Sequence, residues 1–99
     1  SDVYKRQVLD TRSFELSAPG GSYRLAGKEY QMMLLFMRNP GAVIPLMQFL
    51  DNIWDVDSRA GENTVWTYVS YLRRKLEAIG ADVRIRTMRG TGYLLEVRR

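Results

Sequence analysis

The chain has 99 residues, of which 45% are hydrophobic and 26% charged, and a formal net charge of +4; this suits one modest domain with a single core. It contains no cysteine and no histidine, which excludes a disulfide framework, a cysteine- or histidine-based zinc site and histidine acid–base chemistry. No apolar run approaches the ~18 residues of a membrane span, the N-terminus does not read as a secretory signal, and no paired carboxylates sit beside a pocket motif. The expectation is therefore a non-enzymatic, cytoplasmic domain with no catalytic residue, cofactor, metal or membrane contact.

Charge is distributed unevenly. Residues 1–61 carry seven basic and seven acidic side chains, whereas residues 62–99 carry eight and four. The whole excess lies in the last two-fifths, which suits a polyanionic partner or a solvated basic face about equally.

In chain order, residues 1–7 are polar and without clear period; they read as a linker remnant or cloning scar, or as the lead into a first strand, with the domain proper spanning 8–99. Val8–Ser17 is rich in β-favouring residues, with Phe14 and Leu16 two apart. Pro19-Gly20-Gly21 marks a turn, after which Tyr23 and Leu25 alternate with polar neighbours as in a half-buried strand. A helix is expected from about Lys28 to Arg38, with Tyr30, Met33, Leu34 and Met37 at helical spacing, stopped by Asn39-Pro40-Gly41. Pro45 suits the first turn of a second, shorter helix, whose stripe is Leu46, Phe49, Leu50 and Ile53 and which Trp54 ends. Asp55–Gly61 reads as a polar loop. The longest helix begins at Glu62 or Asn63 and reaches about Ile79, before the terminator Gly80. Val83–Met88 and Tyr93–Val97 form a hairpin through Arg89-Gly90-Thr91-Gly92. The class is α+β: an N-terminal antiparallel sheet, three helices and a C-terminal β-hairpin.

The long helix carries the chemistry. Val65, Val69, Leu72 and Leu76 fall in one narrow arc that must face the core. The opposite arc holds Asn63, Thr67, Ser70, Tyr71 and Arg74; Arg73 and Trp66 flank it on one side, Thr64, Tyr68 and Lys75 on the other. Such a face offers donors, acceptors and apolar edges to bases in a major groove, and Arg73, Arg74 and Lys75 can neutralise phosphates. The same face, with its exposed aromatic pair, also suits a protein interface. In the hairpin, Arg84 and Arg86 share one face and Val83 and Ile85 the other. Arg89 stands at the tip, where it can enter a minor groove. Gly90-Thr91-Gly92 is not a nucleotide loop, since it lacks both the third glycine of the dinucleotide fingerprint and the Gly-Lys-Ser/Thr of a P-loop.

From Val8 to Val97 the sequence resembles the OmpR/PhoB family of response-regulator effector domains. The likeness rests on Leu25 with Glu29-Tyr30 and Leu34-Leu35; Asn39-Pro40-Gly41; Leu50 with Ile53-Trp54; Asn63-Thr64-Val65; the run from Tyr71 to Glu77; and Thr87-Met88-Arg89-Gly90-Thr91-Gly92-Tyr93. The resemblance implies a winged helix-turn-helix with a four-stranded N-terminal sheet, in which the long helix reads duplex DNA and the hairpin is the wing. It implies DNA contacts from Asn63, Thr64, Thr67, Tyr68, Tyr71 and Arg73, to which the outward face adds Ser70 and Arg74. Thr87, Arg89 and Thr91 would act from the wing, and Trp54 near the DNA backbone. Asp55 and Asp57 lie in the loop through which relatives touch RNA polymerase, and relatives often bind head-to-tail on direct repeats. The family's receiver domain, with its phosphorylated aspartate, has no counterpart in these residues, so an isolated output domain of a two-component regulator is expected. The chain departs from the family at Trp66, where an acidic residue is common; at Ala26, where threonine often caps the first helix; at Pro45, where serine often precedes the second; and at Tyr71, where some relatives carry a base-reading arginine.

Overall fold

The structure, a computed structural model, describes residues 1–57 and 59–98. The elements run β1 Asp2–Tyr4, β2 Gln7–Asp10, β3 Glu15–Ala18, β4 Gly21–Arg24, α1 Gly27–Arg38, β5 Ile44–Pro45, α2 Leu46–Ile53, α3 Glu62–Ala78, β6 Val83–Met88 and β7 Gly92–Val97. Strands β1 to β4 form an antiparallel meander in sequence order, and β5, β7 and β6 form a second sheet in that order. The three helices pack between the two sheets around one core. This is the winged helix-turn-helix architecture, with β6 and β7 as the wing. Among the described residues no helix is long and apolar enough to cross a membrane.

The polar N-terminus is part of the sheet. Asp2–Tyr4 pairs antiparallel with β2, and Gln7 is fully buried. The Gln7 amide explains why. Its Nε2 donates to the Asp82 carboxylate (2.6 Å) and to the Tyr4 carbonyl (3.1 Å), and its Oε1 accepts the Asp82 backbone N–H (3.0 Å). Arg6 Nε meets the other Asp82 oxygen at 2.8 Å. A buried amide costs free energy unless its polar atoms are paired; here the pairing straps the first sheet to the entry of the wing.

The β-favouring stretch Val8–Ser17 is two strands rather than one. Asp10 Oδ1 accepts the backbone N–H groups of Arg12 and Ser13, and Phe14 N–H bonds to the Asp10 carbonyl, a turn in which an aspartate side chain replaces a ladder partner. Phe14 takes φ 63°, and its ring packs edge-on against Tyr30 with centroids 4.6 Å apart instead of continuing the inward row of Leu9 and Leu16. Nor is Tyr23 half-buried: β4 is an exposed edge strand, Tyr23 keeps 41% of its surface, and only Leu25 beyond the strand enters the core.

In α1 the buried stripe is Met32, Met33, Phe36 and Met37, with Tyr30 and Leu34 at its margin. Ala26 gives this helix no side-chain cap. Pro45 is not the first helical residue of α2. It ends β5, paired with Gly92, and the Leu46 N–H that opens the helix bonds to the Thr91 carbonyl of the wing turn (3.0 Å). At the other end Lys28 Nζ donates to the Ile53 carbonyl (2.7 Å), satisfying an otherwise orphan acceptor.

Two predictions follow from these contacts. A Cβ on Gly92 would overlap the Ile44 carbonyl, so Gly92→Ala should part β5 from β7 and destabilise the domain by about 1–3 kcal/mol, seen as a lowered urea midpoint. The second concerns acid. Three carboxyls are held below their ordinary range: Asp82 by the Arg6 and Gln7 side chains, Glu96 by Arg84, and Asp10 by the Arg12 and Ser13 amides. Because the folded state depresses them, their contribution is complete above the unfolded value of about 4 and is lost as pH falls through the folded values. Urea midpoints measured from neutral pH downward should hold level and then drop below about pH 4; a midpoint that rises there would contradict the assignment.

Candidate nucleic-acid interface

The orientation of α3 is set by its apolar arc. Val65, Val69 and Leu72 are fully buried and Leu76 nearly so, which turns Asn63, Thr67, Ser70, Tyr71 and Arg74 outward. The helix starts at Gly61, whose N–H donates to the Thr64 hydroxyl (3.1 Å) while its carbonyl accepts the Thr64 N–H. Thr64 is therefore a capping residue before it is a DNA contact. Two other hydroxyls on the face are also engaged: Thr67 Oγ1 donates to the Asn63 carbonyl (2.8 Å) and Ser70 Oγ to the Trp66 carbonyl (3.0 Å). Each keeps its acceptor capacity and loses its proton to the helix.

The aromatic and basic side chains form two groups. Trp54 is only 6% exposed and lies in the core, where its ring packs on Tyr68 at 5.3 Å. The sequence expected it near the DNA backbone; here it caps the C-terminal end of α2 and is buried against α3. Tyr68 in turn meets Tyr71 edge-on at 5.6 Å, and the Arg74 guanidinium sits 5.4 Å from the Tyr71 ring centroid. This row holds Tyr71, 40% exposed, against the helix surface while leaving the Arg74 charge outward.

Two cations expected to hold phosphates have partners within the domain. Lys75 Nζ pairs with both oxygens of Glu29 on α1, at 2.6 and 2.8 Å. Arg73 bridges α3 to the wing: Nε donates to the Ile85 carbonyl (3.0 Å) and Nη2 to the Thr87 hydroxyl (2.9 Å). Two expected DNA contacts, Arg73 and Thr87, thus meet each other. On the outer wing face Arg84 and Arg86 both pair with Glu96. Arg89, by contrast, is exposed at the tip and has no ion pair or side-chain hydrogen bond among the described residues. Gly90 takes φ 79° to close the tip, a left-handed conformation that glycine adopts without strain. Thr91 serves the fold through its backbone, accepting Leu46 N–H and donating to Met88.

A groove of about 540 Å³ runs between the start of α3 and the wing, with Asn63 and Trp66 on one wall and Thr87, Arg89 and Thr91 on the other. Trp66, 56% exposed, also borders the outward face beside Thr67, Ser70 and Arg74. The sequence placed it on a flank and gave it a part only in the alternative protein interface. Its position off the core arc was the available signal. Asp55 is exposed; Asp57 accepts the Arg59 N–H and lies 3.7 Å from its guanidinium. Within their loop, Ser58 lies outside the described residues.

These features define a winged helix-turn-helix domain whose third helix and wing share one polar, basic-edged face. The chain belongs to the family described as "Transcriptional regulatory protein, C terminal", whose model matches residues 20–95. Over 90 residues, 91% of the chain, it is 38% identical to the transcriptional regulatory protein DltR of Streptococcus agalactiae, of which the match covers 40%. The chain thus spans about two-fifths of the length of the curated relatives it matches. Among solved structures it is similar to the C-terminal domain of the nisin resistance regulator NsrR, a lantibiotic response regulator, with TM-score 0.81 and 29% identity over the whole of both chains. It is similar also to the DNA-binding domain of the response regulator AdeR in complex with an intercistronic region, with TM-score 0.82 and 28% identity over 96% of this chain and 98% of that one.

The Arg73 bridge can be separated from any phosphate contact. Arg73→Lys keeps the charge but cannot reach both acceptors as a planar fork does. It should cost about 1–3 kcal/mol in urea denaturation and speed amide exchange more in the β6–β7 hairpin than in the β1–β4 sheet. Unchanged exchange in the wing would mean that Arg73 does not hold it.

Proposed function

We propose that this domain binds duplex DNA sequence-specifically to regulate transcription, with α3 in the major groove and the wing tip in the minor groove, as the output module of a two-component response regulator. The observation that carries the reading is the shared groove: the outward side of α3 and the tip carrying Arg89 line one cleft, and Arg74 and Arg89 have no carboxylate partner among the described residues. A helix projecting into a major groove while a basic tip reaches the adjacent minor groove needs that relative placement. The relatives support it, since the AdeR domain to which the chain is similar is described in complex with an intercistronic region.

Within this reading Asn63, Thr67, Ser70, Tyr71 and Arg74 face base edges or phosphates directly. Tyr68 sits behind Tyr71, Thr64 caps the helix, and Arg73 with Thr87 sets the wing. Asp55 and Asp57 would repel phosphate, so their loop points away from DNA and is the surface for RNA polymerase. Head-to-tail pairing on direct repeats, a receiver domain elsewhere in the protein and a cytoplasmic setting belong to the same proposal. A second reading, in which α3 docks protein, is favoured only by the exposed rings of Trp66 and Tyr71.

Salt separates the two readings. Binding to random duplex should fall in the ~10⁻⁴–10⁻⁶ M range at physiological salt, with log affinity declining linearly against log salt; a slope near zero selects the protein interface. Arg89→Ala should keep the native circular dichroism spectrum and weaken binding to the preferred duplex by about 1–3 kcal/mol, and unchanged affinity would remove the wing from the interface.

A further inference from the structure

The outward side of the first half of α3 is poor in the groups that read guanine. Guanine presents two acceptors in the major groove, most often met by the paired donors of arginine or lysine. Of the three cations on this helix, Arg73 is bonded to the wing, Lys75 is paired with Glu29, and Arg74 belongs to the second half of the helix, one turn beyond Ser70 and against the Tyr71 ring. The hydroxyl protons of Thr67 and Ser70 point into the helix's own carbonyls. What remains at the start of the face is the Asn63 amide, the Thr67 methyl and the Trp66 indole, the last 56% exposed at the mouth of the groove shared with Arg89. An asparagine amide matches the donor–acceptor pair of adenine, and apolar groups match the C5-methyl that only thymine carries.

Resting on the DNA-binding reading above, we infer that this helix selects A·T pairs at the positions facing Asn63, Trp66 and Thr67, with Trp66 as a specificity-determining residue that packs on thymine methyl groups. Residues 63, 66 and 67 lie on adjoining strips of the helix, so their contacts fall on neighbouring base pairs. Arg89 acts in the same direction, because a narrow A-tract minor groove concentrates the negative potential that draws an arginine in. Trp66 is suited to this role by what it does not do: its ring contributes nothing to the buried core, so its large apolar surface is free to be covered by a ligand. A protein occupant is the competing use of that surface and is one outcome of the test.

The chain is first used to select bound duplexes from a randomised library, and the selected duplex is then remade with deoxyuridine in place of each thymine. That exchange deletes the methyl and leaves the hydrogen-bonding edge intact. Affinity should fall about fourfold at each contacted thymine, the change to which ~0.8 kcal/mol for a buried methyl corresponds. In Trp66→Ala the penalty should vanish at the Trp66 position and persist at the Thr67 position. In Trp66→Asp the selected base there should change from thymine towards cytosine, whose amino group a carboxylate can accept. Guanine selected at these positions, a parent indifferent to deoxyuridine, or a Trp66→Ala variant with the parent's penalty throughout would each overturn the inference while salt-dependent binding to random duplex persists. Loss of all salt-dependent binding would instead overturn the DNA-binding reading and this inference with it.

Discussion

The rotation of α3 about its own axis is the constraint on which the rest of the structure depends. Four apolar side chains, Val65, Val69, Leu72 and Leu76, sit at or near zero exposure on one arc, and each is worth roughly 1.5–3 kcal/mol when fully buried. Turning the helix by one residue would bring polar side chains into the core and expose part of that arc. The outward set of Asn63, Thr67, Ser70, Tyr71 and Arg74 is therefore a by-product of the buried set. The domain presents this polar face outward because it cannot fold with that face anywhere else.

A second constraint holds the wing in place relative to that face. The Thr91 carbonyl receives the first N–H of α2, Gly92 lies against β5 with no room for a side chain, and Arg73 reaches from α3 to the Ile85 carbonyl and the Thr87 hydroxyl. At the far end of β6, Gln7 and Arg6 grip Asp82. The wing is thus tied to all three layers of the fold, and Arg89 is carried on a positioned tip. In the proposed two-groove docking, this pre-organisation would reduce the ordering cost of binding.

The composition of the face shows how internal hydrogen bonds shape what is left for a ligand. Side chains with the most obvious polar chemistry, Thr64, Thr67, Ser70, Arg73 and Lys75, each satisfy a backbone or side-chain partner within the domain. The groups with the fewest internal obligations are Asn63, Trp66, Arg74 and Arg89. A residue's chemical type states what it can do; its existing partners decide how much of that is available outward.

Much of this was legible in the sequence. The three helices, the hairpin and its glycine tip follow from apolar periodicity and turn residues, because those signals are local and repeat every 3.6 or 2 residues. The apolar arc of α3 was read correctly for the same reason, and the outward side chains follow as its complement. Other features were decided by tertiary structure. The split of Val8–Ser17 into β2 and β3 depends on the Asp10 side chain replacing a ladder partner, and the two-residue strand β5 exists only because β7 lies beside it. Trp54 entered the core because two helices closed over it. Arg73 and Lys75 were read only for what they could offer a phosphate, and their partners within the domain stand 12 to 46 residues away in the chain. A cation's nearest acceptor is a matter of distance in space, which periodicity along the chain does not encode.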